Sequence, residues 1–571
     1  MTFSLILDEA QEQIVNFSPN KSLIVVAGPG CGKTLVASQR LHLLVNNEFN
    51  ENSDPRKVLA ISFTRAAALT IREKIDDDSN VEIRTIDSWC TYLLNELRCP
   101  TSEGDSFSYE GNIIRLTELL QNDAEKIPNY SHVVVDEAQD IYGSRRELIE
   151  VLLKSVAKLG GGWTVLGDPA QSIFDFQSTK TGDEISLLVS VSKISPKIST
   201  ITLGMDYRAK NDEIRKTRLL GVGLRAELPD EQSINDIWKE IESIRKFRLS
   251  QLTEFGNRFF HKDLYYAILV RSNREVLTIS RELKNAQVPH HVVQPKNGNQ
   301  ILPAWIQELS QCNSEDLIEN FYQEHNFLNT LLFKRTLRPF MKTRGSGINE
   351  KLLYEAICRP SLDEFFMKKA KHGICLSTIH KAKGLEFDEV FLSLERQMNR
   401  NNWDELLEAR IAFVGLSRAR GETMKLDLPV SKEFLTKRIS GGRLIDQTFR
   451  GNRTKAIEFF PEDAEDLKFV SDGEFADYEL HRLDAIGSEF LRYQIVGQDG
   501  EVVGRTSVAF GEVIKSLWAK SAPKCFSGVY QFDTQTVLSR PQNNPNNHLW
   551  FRLAPLLTGM ISPKEENEKE T

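Results

Sequence analysis

The chain has 571 residues, 40% of them hydrophobic and 27% charged, and is too long for a single core, so about three to five domains are expected. It contains no run of about twenty apolar residues, which excludes a spanning helix, and its first residues, MTFSLILDEAQEQ, carry acidic side chains without a basic leader, so no signal peptide is read there and a cytoplasmic location is expected. A net charge of −8 argues against passive coating of nucleic acid while leaving room for a local basic groove, and seven cysteines without a CxxC pair read as reduced thiols, not a zinc site.

In chain order, SLIVVAGPGCGKT reads as a buried strand entering a glycine-rich loop, and LVASQRLHLLVN as the helix that follows. Residues 27–34 form a P-loop with Ala27 in place of the first glycine. The loop residues Gly28, Pro29, Gly30, Cys31 and Gly32 curl so that backbone N–H groups face phosphate oxygens, and the helix adds its positive N-terminal end. Lys33 reaches the outer phosphates and the Thr34 hydroxyl binds Mg²⁺, so ATP and Mg²⁺ are the expected cofactors.

KVLAISFTR and HVVVDEAQD are the next strands. Asp136 ends the second and is placed to hold Mg²⁺, directly or through water, while Glu137 polarises an attacking water. Acidic pairs after strands also cap helices, but a P-loop about a hundred residues earlier favours the chemical reading. RRELIEVLLKSVAKL is helical, and WTVLGDPAQ ends a further strand at Gln171, positioned to sense a γ-phosphate. Arg208, in Asp206-Tyr207-Arg208, and Arg418, in Ser417-Arg418-Ala419, are candidate arginine fingers. Taken singly, each reads more readily as a surface arginine.

ITLGM, YYAILVRSN, HGICLSTIH, DEVFLSL and IAFVGLSR repeat the pattern of short apolar pieces with polar tips, giving a second α/β domain. The mostly helical stretch 301–370 carries the basic run Lys334, Arg335, Arg338, Lys342 and Arg344, a candidate contact for duplex phosphate or a solvated helix face. From about residue 446 the pattern becomes β-rich, with a hairpin around Asp499-Gly500 and a charged, disordered tail, SPKEENEKET. This region names no chemistry and is a candidate docking domain for a protein partner.

Eight or more blocks between residue 7 and about residue 420 resemble, in family order, the UvrD/Rep/PcrA-like family of superfamily 1 helicases. Leu7 to Gln11 is similar to its adenine-reading glutamine motif, which implicates Gln11. Ser62 to Ala68 and Thr85 to Ser88 resemble its strand-contacting motifs, and Gly167 to Phe176 the block linking ATP to DNA. Leu203 to Arg208 resembles the block whose tyrosine, here Tyr207, packs on the base and whose arginine meets the γ-phosphate. Thr378 to Phe387 is a close match to a long motif carrying His380 and Glu386, and Glu408 to Ala419 resembles the last, with the second phosphate arginine.

The resemblance implies an α/β fold with two RecA-like parallel-sheet domains, residues 1–84 with 125–200 and residues 201–300 with 371–445. Short helical insertions at 85–124 and 301–370 and a β-rich region at 446–571 complete it. It further implies ATP between the two RecA-like domains and 3′–5′ stepping along single-stranded DNA or a single-strand/duplex junction. The implied strand contacts are Phe63, Thr64, Arg65, Phe176 and His380, with rings stacking on bases.

Three departures bear on the grip: Arg65-Ala66 stands where the family has Asn-Lys, Asp87 where it has histidine, and Phe176-Gln177 where it has Trp-Arg. The insertions are also short beside those of larger members. Two activities are therefore weighed: a DNA-stimulated translocase or helicase, and an ATP-gated end sensor or loading subunit of a repair or antiviral complex with little unwinding of its own.

Overall fold

A computed structural model describes residues 7–45, 57–62, 71, 81–98, 109–123, 126–174, 185–194, 198–226, 228–255, 260–261, 264–293, 302–303, 305–325, 347–349, 352–353, 373–396, 404–428, 434–438, 444–448, 454–459, 463–465, 467, 477–483, 490–518, 521–538 and 551–564. The chain divides into two compact units. One comprises Met1–Arg248, Leu264–Arg271 and Ser377–Asp427; the other comprises Leu249–Asp263, Ser272–Leu376 and Leu428–Thr571.

The apolar runs of the first 200 residues lie in strands β1 (Ser22–Ala27), β2 (Lys57–Ser62), β4 (Tyr130–Asp136) and β5 (Gly162–Gly167), joined by β3 (Val81–Thr85); as a correction, ITLGM, read with the second α/β domain, supplies β6 (Ser199–Leu203) beside β1 in this first sheet. They form one parallel sheet of order β3-β2-β4-β5-β1-β6. Side chains alternate between its faces, and both faces are covered. Leu23, Val25, Val58, Ala60 and Val134 pack with Val36 and Leu41 of the helix Lys33–Val45. Ile24, Leu59, Ile61, Val133 and Val135 pack with Trp89, Leu116 and Leu152 from the helices Ile86–Glu96, Tyr109–Asn122 and Gly143–Lys158. Parallel strands covered on both faces place their C-terminal ends, and the loops that follow, at one edge where function gathers.

A second six-stranded parallel sheet contains β7 (Lys246–Arg248), β8 (Tyr265–Val270), β9 (His290–Val292), β11 (Gly373–Thr378), β12 (Phe387–Ser393) and β13 (Ala419–Asp427), in the order β7-β13-β12-β8-β11-β9. The apolar run IAFVGLSR is a correction to the strand-like reading: Ile411–Leu416 lies in the helix Glu405–Leu416, capped by Asp404, whose side chain accepts from Leu407 N. Ile411–Leu416 is buried throughout, so this apolar run lacks a polar face and mimics a buried strand.

The second unit holds an antiparallel sheet. Its strands include β10 (Leu302–Pro303), β14 (Phe434–Arg438), β15 (Leu444–Thr448), β16 (Thr454–Phe459), β17 (Ala464–Glu465), β18 (Asp477–Arg482), β19 (Tyr493–Gly497), β20 (Val502–Thr506), β21 (Cys525–Leu538) and β22 (Phe551–Pro563). β19 and β20 pair antiparallel around Asp499-Gly500, as the turn chemistry predicts, with Gly500 at φ +82°. Phe510, from the helix Val508–Trp518, packs edge-on against Phe459 at 5.1 Å. Glu479, His481 and Cys525 cluster on β18 and β21, where the Lys564 ammonium, 2.6 Å from Glu479 Oε1, already supplies a positive charge. The helices Trp305–Gln311 and Glu315–His325 fall in the stretch read as helical, whereas the basic run 334–344 and tail residues 565–571 lie outside the described residues. Among the described residues no helix is long and apolar enough to cross a membrane.

Candidate nucleotide site

All the described groups of the candidate nucleotide site belong to the first unit. β1 ends at Ala27, the loop turns, and Lys33 opens the helix Lys33–Val45. Gly30 and Gly32 adopt φ +82° and +83°, which side-chain-bearing residues rarely enter. Space gives a second reason: a β-carbon at Gly30 would lie 2.2 Å from Asp206 Oδ1, and one at Gly32 would lie 2.7 Å from Gln11 Nε2.

Lys33 Nζ lies 2.8 Å from Glu137 Oε1. Burial works against the ammonium, but the Glu137 and Asp136 carboxylates outweigh it and hold Lys33 above its usual range. Burial likewise opposes the Glu137 charge, yet Lys33 and then Lys383 keep that carboxyl below its usual range. Asp136, at the end of β4, is pushed above its usual range by burial, with Lys33 opposing. Glu137 sits at φ +55°, a left-handed conformation that a non-glycine residue keeps only where its surroundings fix it. This turn aims its carboxylate back at the P-loop lysine.

Asp136 Oδ1 accepts from Glu137 N at 2.9 Å, whereas Oδ2 accepts no hydrogen bond among the described residues. A buried carboxylate with a spare oxygen, together with the Thr34 hydroxyl, is a donor set that fits a hard divalent cation.

Gln171 follows β5 in a short 3₁₀ turn capped by Asp168, which is wholly buried. Its Nε2 donates to Asp168 Oδ2 at 2.7 Å, and its Oε1 accepts from Arg418 Nη2 at 2.8 Å. Arg418 is fixed at the end of its helix by donation to Val414 O at 2.9 Å and Ser417 Oγ at 2.8 Å. Burial, then the neighbouring Arg208, lowers its affinity for the proton to about 10. Beside this pair, Lys383 Nζ lies 2.7 and 2.6 Å from the two Asp140 oxygens and donates to the Gln171 carbonyl.

Arg208 and Arg420 both pair with Glu386, Arg420 at 2.7 Å. Burial opposes the Glu386 charge, but Arg208 and Arg420 hold its carboxyl below the usual range. Glu386 therefore touches the arginine expected to meet phosphate. Tyr207 donates its hydroxyl to Asp8 and its backbone N–H to Gly30 O at 3.0 Å. Asp8 and Gln11 form a reciprocal capping box, and Gln11 Nε2 donates to Cys31 O at 3.4 Å. Gln11, Tyr207 and the P-loop are thus one connected patch.

The strand candidates are only partly described. Phe63, Thr64, Arg65, Phe176 and Gln177 lie outside the described residues. His380 is packed edge-on by Phe174, with centroids 6.0 Å apart, and Lys383 lies 5.3 Å from the same ring's centroid. Asp87 is paired with Arg145 at 2.8 Å, and Arg145 also holds Glu110 at 2.9 Å. The carboxylate standing where the family carries histidine thereby shares one arginine with Glu110.

Sequence reasoning did not single out Lys383, Asp140, Asp168, Arg225, Phe174 or Arg420 as site residues. Lys383, Asp140 and Asp168 lie inside blocks quoted for other members, so proximity in sequence was their signal. Arg225 carries no motif; only the fold brings it to Asp168, at 2.8 Å.

Two family models match the chain: an AAA domain over residues 11–177 and a UvrD-like helicase C-terminal domain over residues 307–424. The ATP-dependent DNA helicase SRS2 of Saccharomyces cerevisiae is 21% identical over 485 residues, covering 64% of this chain and 40% of that protein. A probable DNA helicase II homologue of Mycoplasma capricolum is 21% identical over 395 residues, covering 51% of this chain and 52% of that protein. The chain thus spans about half the length of these relatives or less. A Pif1 helicase structure from Bacteroides is 13% identical, with a TM-score of 0.35 over 74% of this chain and 92% of that one. In its two parallel α/β sheets, its ordered motifs and these two family matches, the chain is similar to the UvrD/Rep/PcrA-like helicases of superfamily 1.

Proposed function

We propose that this chain hydrolyses ATP to step 3′ to 5′ along single-stranded DNA, with unwinding as the outcome at a single-strand/duplex junction. The observation that carries the reading is the bond between Arg418 Nη2 and Gln171 Oε1. It joins the arginine that follows the helix Glu405–Leu416 to the glutamine that follows the P-loop sheet, at the place where γ-phosphate charge must be sensed. On this reading Gln11 and Tyr207 hold the base, and Gly28 to Thr34 hold the phosphates. Glu137 orients the attacking water and Arg208 and Arg418 stabilise the transferring phosphoryl group. A divalent cation held by Thr34 and Asp136 would neutralise phosphate charge. Residues 1–84 with 125–200 and 201–300 with 371–445 act as the two motor domains, with 85–124 and 301–370 inserted and 446–571 open to a protein partner.

Losing the γ-phosphate removes the partner that Arg208 and Arg418 would share, which gives hydrolysis a mechanical consequence. Stacking of bases on Phe63, Phe176 and His380, with Thr64 and Arg65 on the backbone, supplies the grip, each stacked base contributing about 1–3 kcal/mol. Two assays test the proposal. ATPase rate with single-stranded DNA, duplex DNA, RNA and no nucleic acid should be highest with single-stranded DNA. Strand displacement should favour a 3′-tailed over a 5′-tailed duplex. Stimulated hydrolysis without displacement on either duplex would support the end-sensor or loading-subunit reading instead.

A further inference from the structure

Arg225 ends the short helix Gly221–Leu224 and pairs with Asp168, Nε to Oδ1 at 2.8 Å and Nη2 to Oδ2 at 3.4 Å. The same guanidinium lies over the P-loop: a β-carbon at Gly28 would be 2.4 Å from Arg225 Nη2 and 3.1 Å from Cζ. Among the described residues Nη1 makes no hydrogen bond. One planar cation therefore has a buried carboxylate on one side and the phosphate-binding loop on the other. The remaining acceptor capacity of that carboxylate is taken by Gln171 Nε2 at 2.7 Å and Ala170 N at 3.1 Å.

The mounting is rigid. A β-carbon at Gly221 would lie 2.3 Å from the Phe413 ring, so the Arg225 helix is seated directly on the helix Glu405–Leu416. Arg418 follows that helix. Arg225 and Arg418 are thus carried on one packed body, and both reach the Asp168–Gln171 pair. A guanidinium in contact with the P-loop backbone, with an unused Nη1 edge, has the fork geometry that recognises phosphate oxygens.

We propose that Arg225 is a third phosphate-reading arginine of this site, and that it shares its guanidinium between Asp168 and the outer phosphate of a bound nucleoside triphosphate. The inference rests on the proposed ATPase reading. A triphosphate draws the fork over the loop and a diphosphate leaves it on Asp168, so Arg225 favours the triphosphate. Through Asp168 and Gln171 it also reports that choice to Arg418.

The test compares the full chain with its Arg225→Ala and Arg225→Lys variants. Affinities for fluorescent ADP and for a fluorescent non-hydrolysable ATP analogue are measured with Mg²⁺, together with kcat and KM for ATP and thermal unfolding. Loss of a charge-assisted fork should weaken triphosphate binding about tenfold or more while diphosphate binding changes less than about twofold. Lysine should restore only part of the discrimination, because it keeps the charge and loses the fork. Equal weakening of both nucleotides, or no change in either, would overturn the proposal and leave Arg225 a brace for Asp168. If wild-type protein binds neither nucleotide, the ATPase reading itself fails. If the wild type hydrolyses ATP and Lys33→Ala does not, a null result at Arg225 removes this inference alone.

Discussion

Arg418 Nη2 donates to Gln171 Oε1 at 2.8 Å, across 247 residues of sequence and between side chains that are both buried. Each residue is also held locally: Gln171 ends a 3₁₀ turn after β5 and donates to Asp168, and Arg418 follows the helix Glu405–Leu416 and donates to Val414 and Ser417. On the proposed reading, the bond connects the phosphate site to the helix that responds when phosphate leaves.

Arg418→Ala should lower the maximal DNA-stimulated ATPase rate at least a hundredfold, because an arginine at developing phosphate charge is worth roughly a thousandfold or more. Arg418→Lys should not restore it, since lysine cannot serve Gln171, Val414 and Ser417 together. Steady-state kinetics check this; a rate within threefold of wild type would place Arg418 outside the reaction.

Lys383 and Asp140 form a pair with side-chain exposures of 8% and 1%. Lys383→Met should destabilise the first unit by about 3–5 kcal/mol, because it leaves a buried carboxylate alone. Burial first, against the Lys383 charge, pushes the Asp140 carboxyl up to about 7, so in the variant it takes a proton at neutral pH. The double variant Asp140→Asn, Lys383→Met should recover much of the loss. Urea unfolding of the three proteins measures both effects.

His132 predicts an acid-sensitive fold. Its Nδ1 lies 2.7 Å from Pro19 O and its Nε2 2.9 Å from Thr164 Oγ1, which also accepts from Arg40 Nε at 2.8 Å. A carbonyl only accepts, so Nδ1 carries the proton and the threonine hydroxyl donates to Nε2. Burial, then repulsion from Arg40, lowers the imidazole to about 3. The unfolded chain binds this proton near pH 6.5 and the folded one near 3, so stability is full above 6.5 and falls as pH drops through that window. From pH 7 to 5 the contribution lost is about 2 kcal/mol. His132→Asn should flatten the pH dependence of the melting temperature between 6.5 and 5; identical slopes would contradict it.

Asp87 bears on the track. Asp87→Asn frees Arg145 from its 2.8 Å partner without adding bulk. If this position faces the strand, single-stranded DNA should bind about two- to fivefold more tightly at low salt, with a steeper salt dependence. Fluorescence anisotropy across a salt series measures this, and an unchanged slope would place Asp87 away from DNA.

The first sheet was legible because its strands are short, apolar and punctuated by P-loop and acidic turns, a pattern fixed by double-sided burial. The glycine loop before Lys33 and the strand ending at Asp136 were equally legible, since positive-φ glycines and an apolar run closed by a carboxylate mark a turn and a strand end. Ile411 to Leu416 misled because a helical run buried throughout has no polar face to reveal its period. Arg225 was invisible because its position depends on Gly221 seating against Phe413, a contact between residues 192 positions apart. Lys383 was within a quoted motif, but its buried partner Asp140 emerges only when two loops meet.

The most direct measurement is phosphate release by the full chain and by Lys33→Ala, each with and without single-stranded DNA at saturating Mg²⁺ and ATP. Lys33 is held against Glu137 at 2.8 Å, in the position proposed to receive the outer phosphates. The account predicts DNA-stimulated release by the wild-type chain and loss of at least 99% of it in the variant. Undiminished DNA-stimulated release by Lys33→Ala would contradict it.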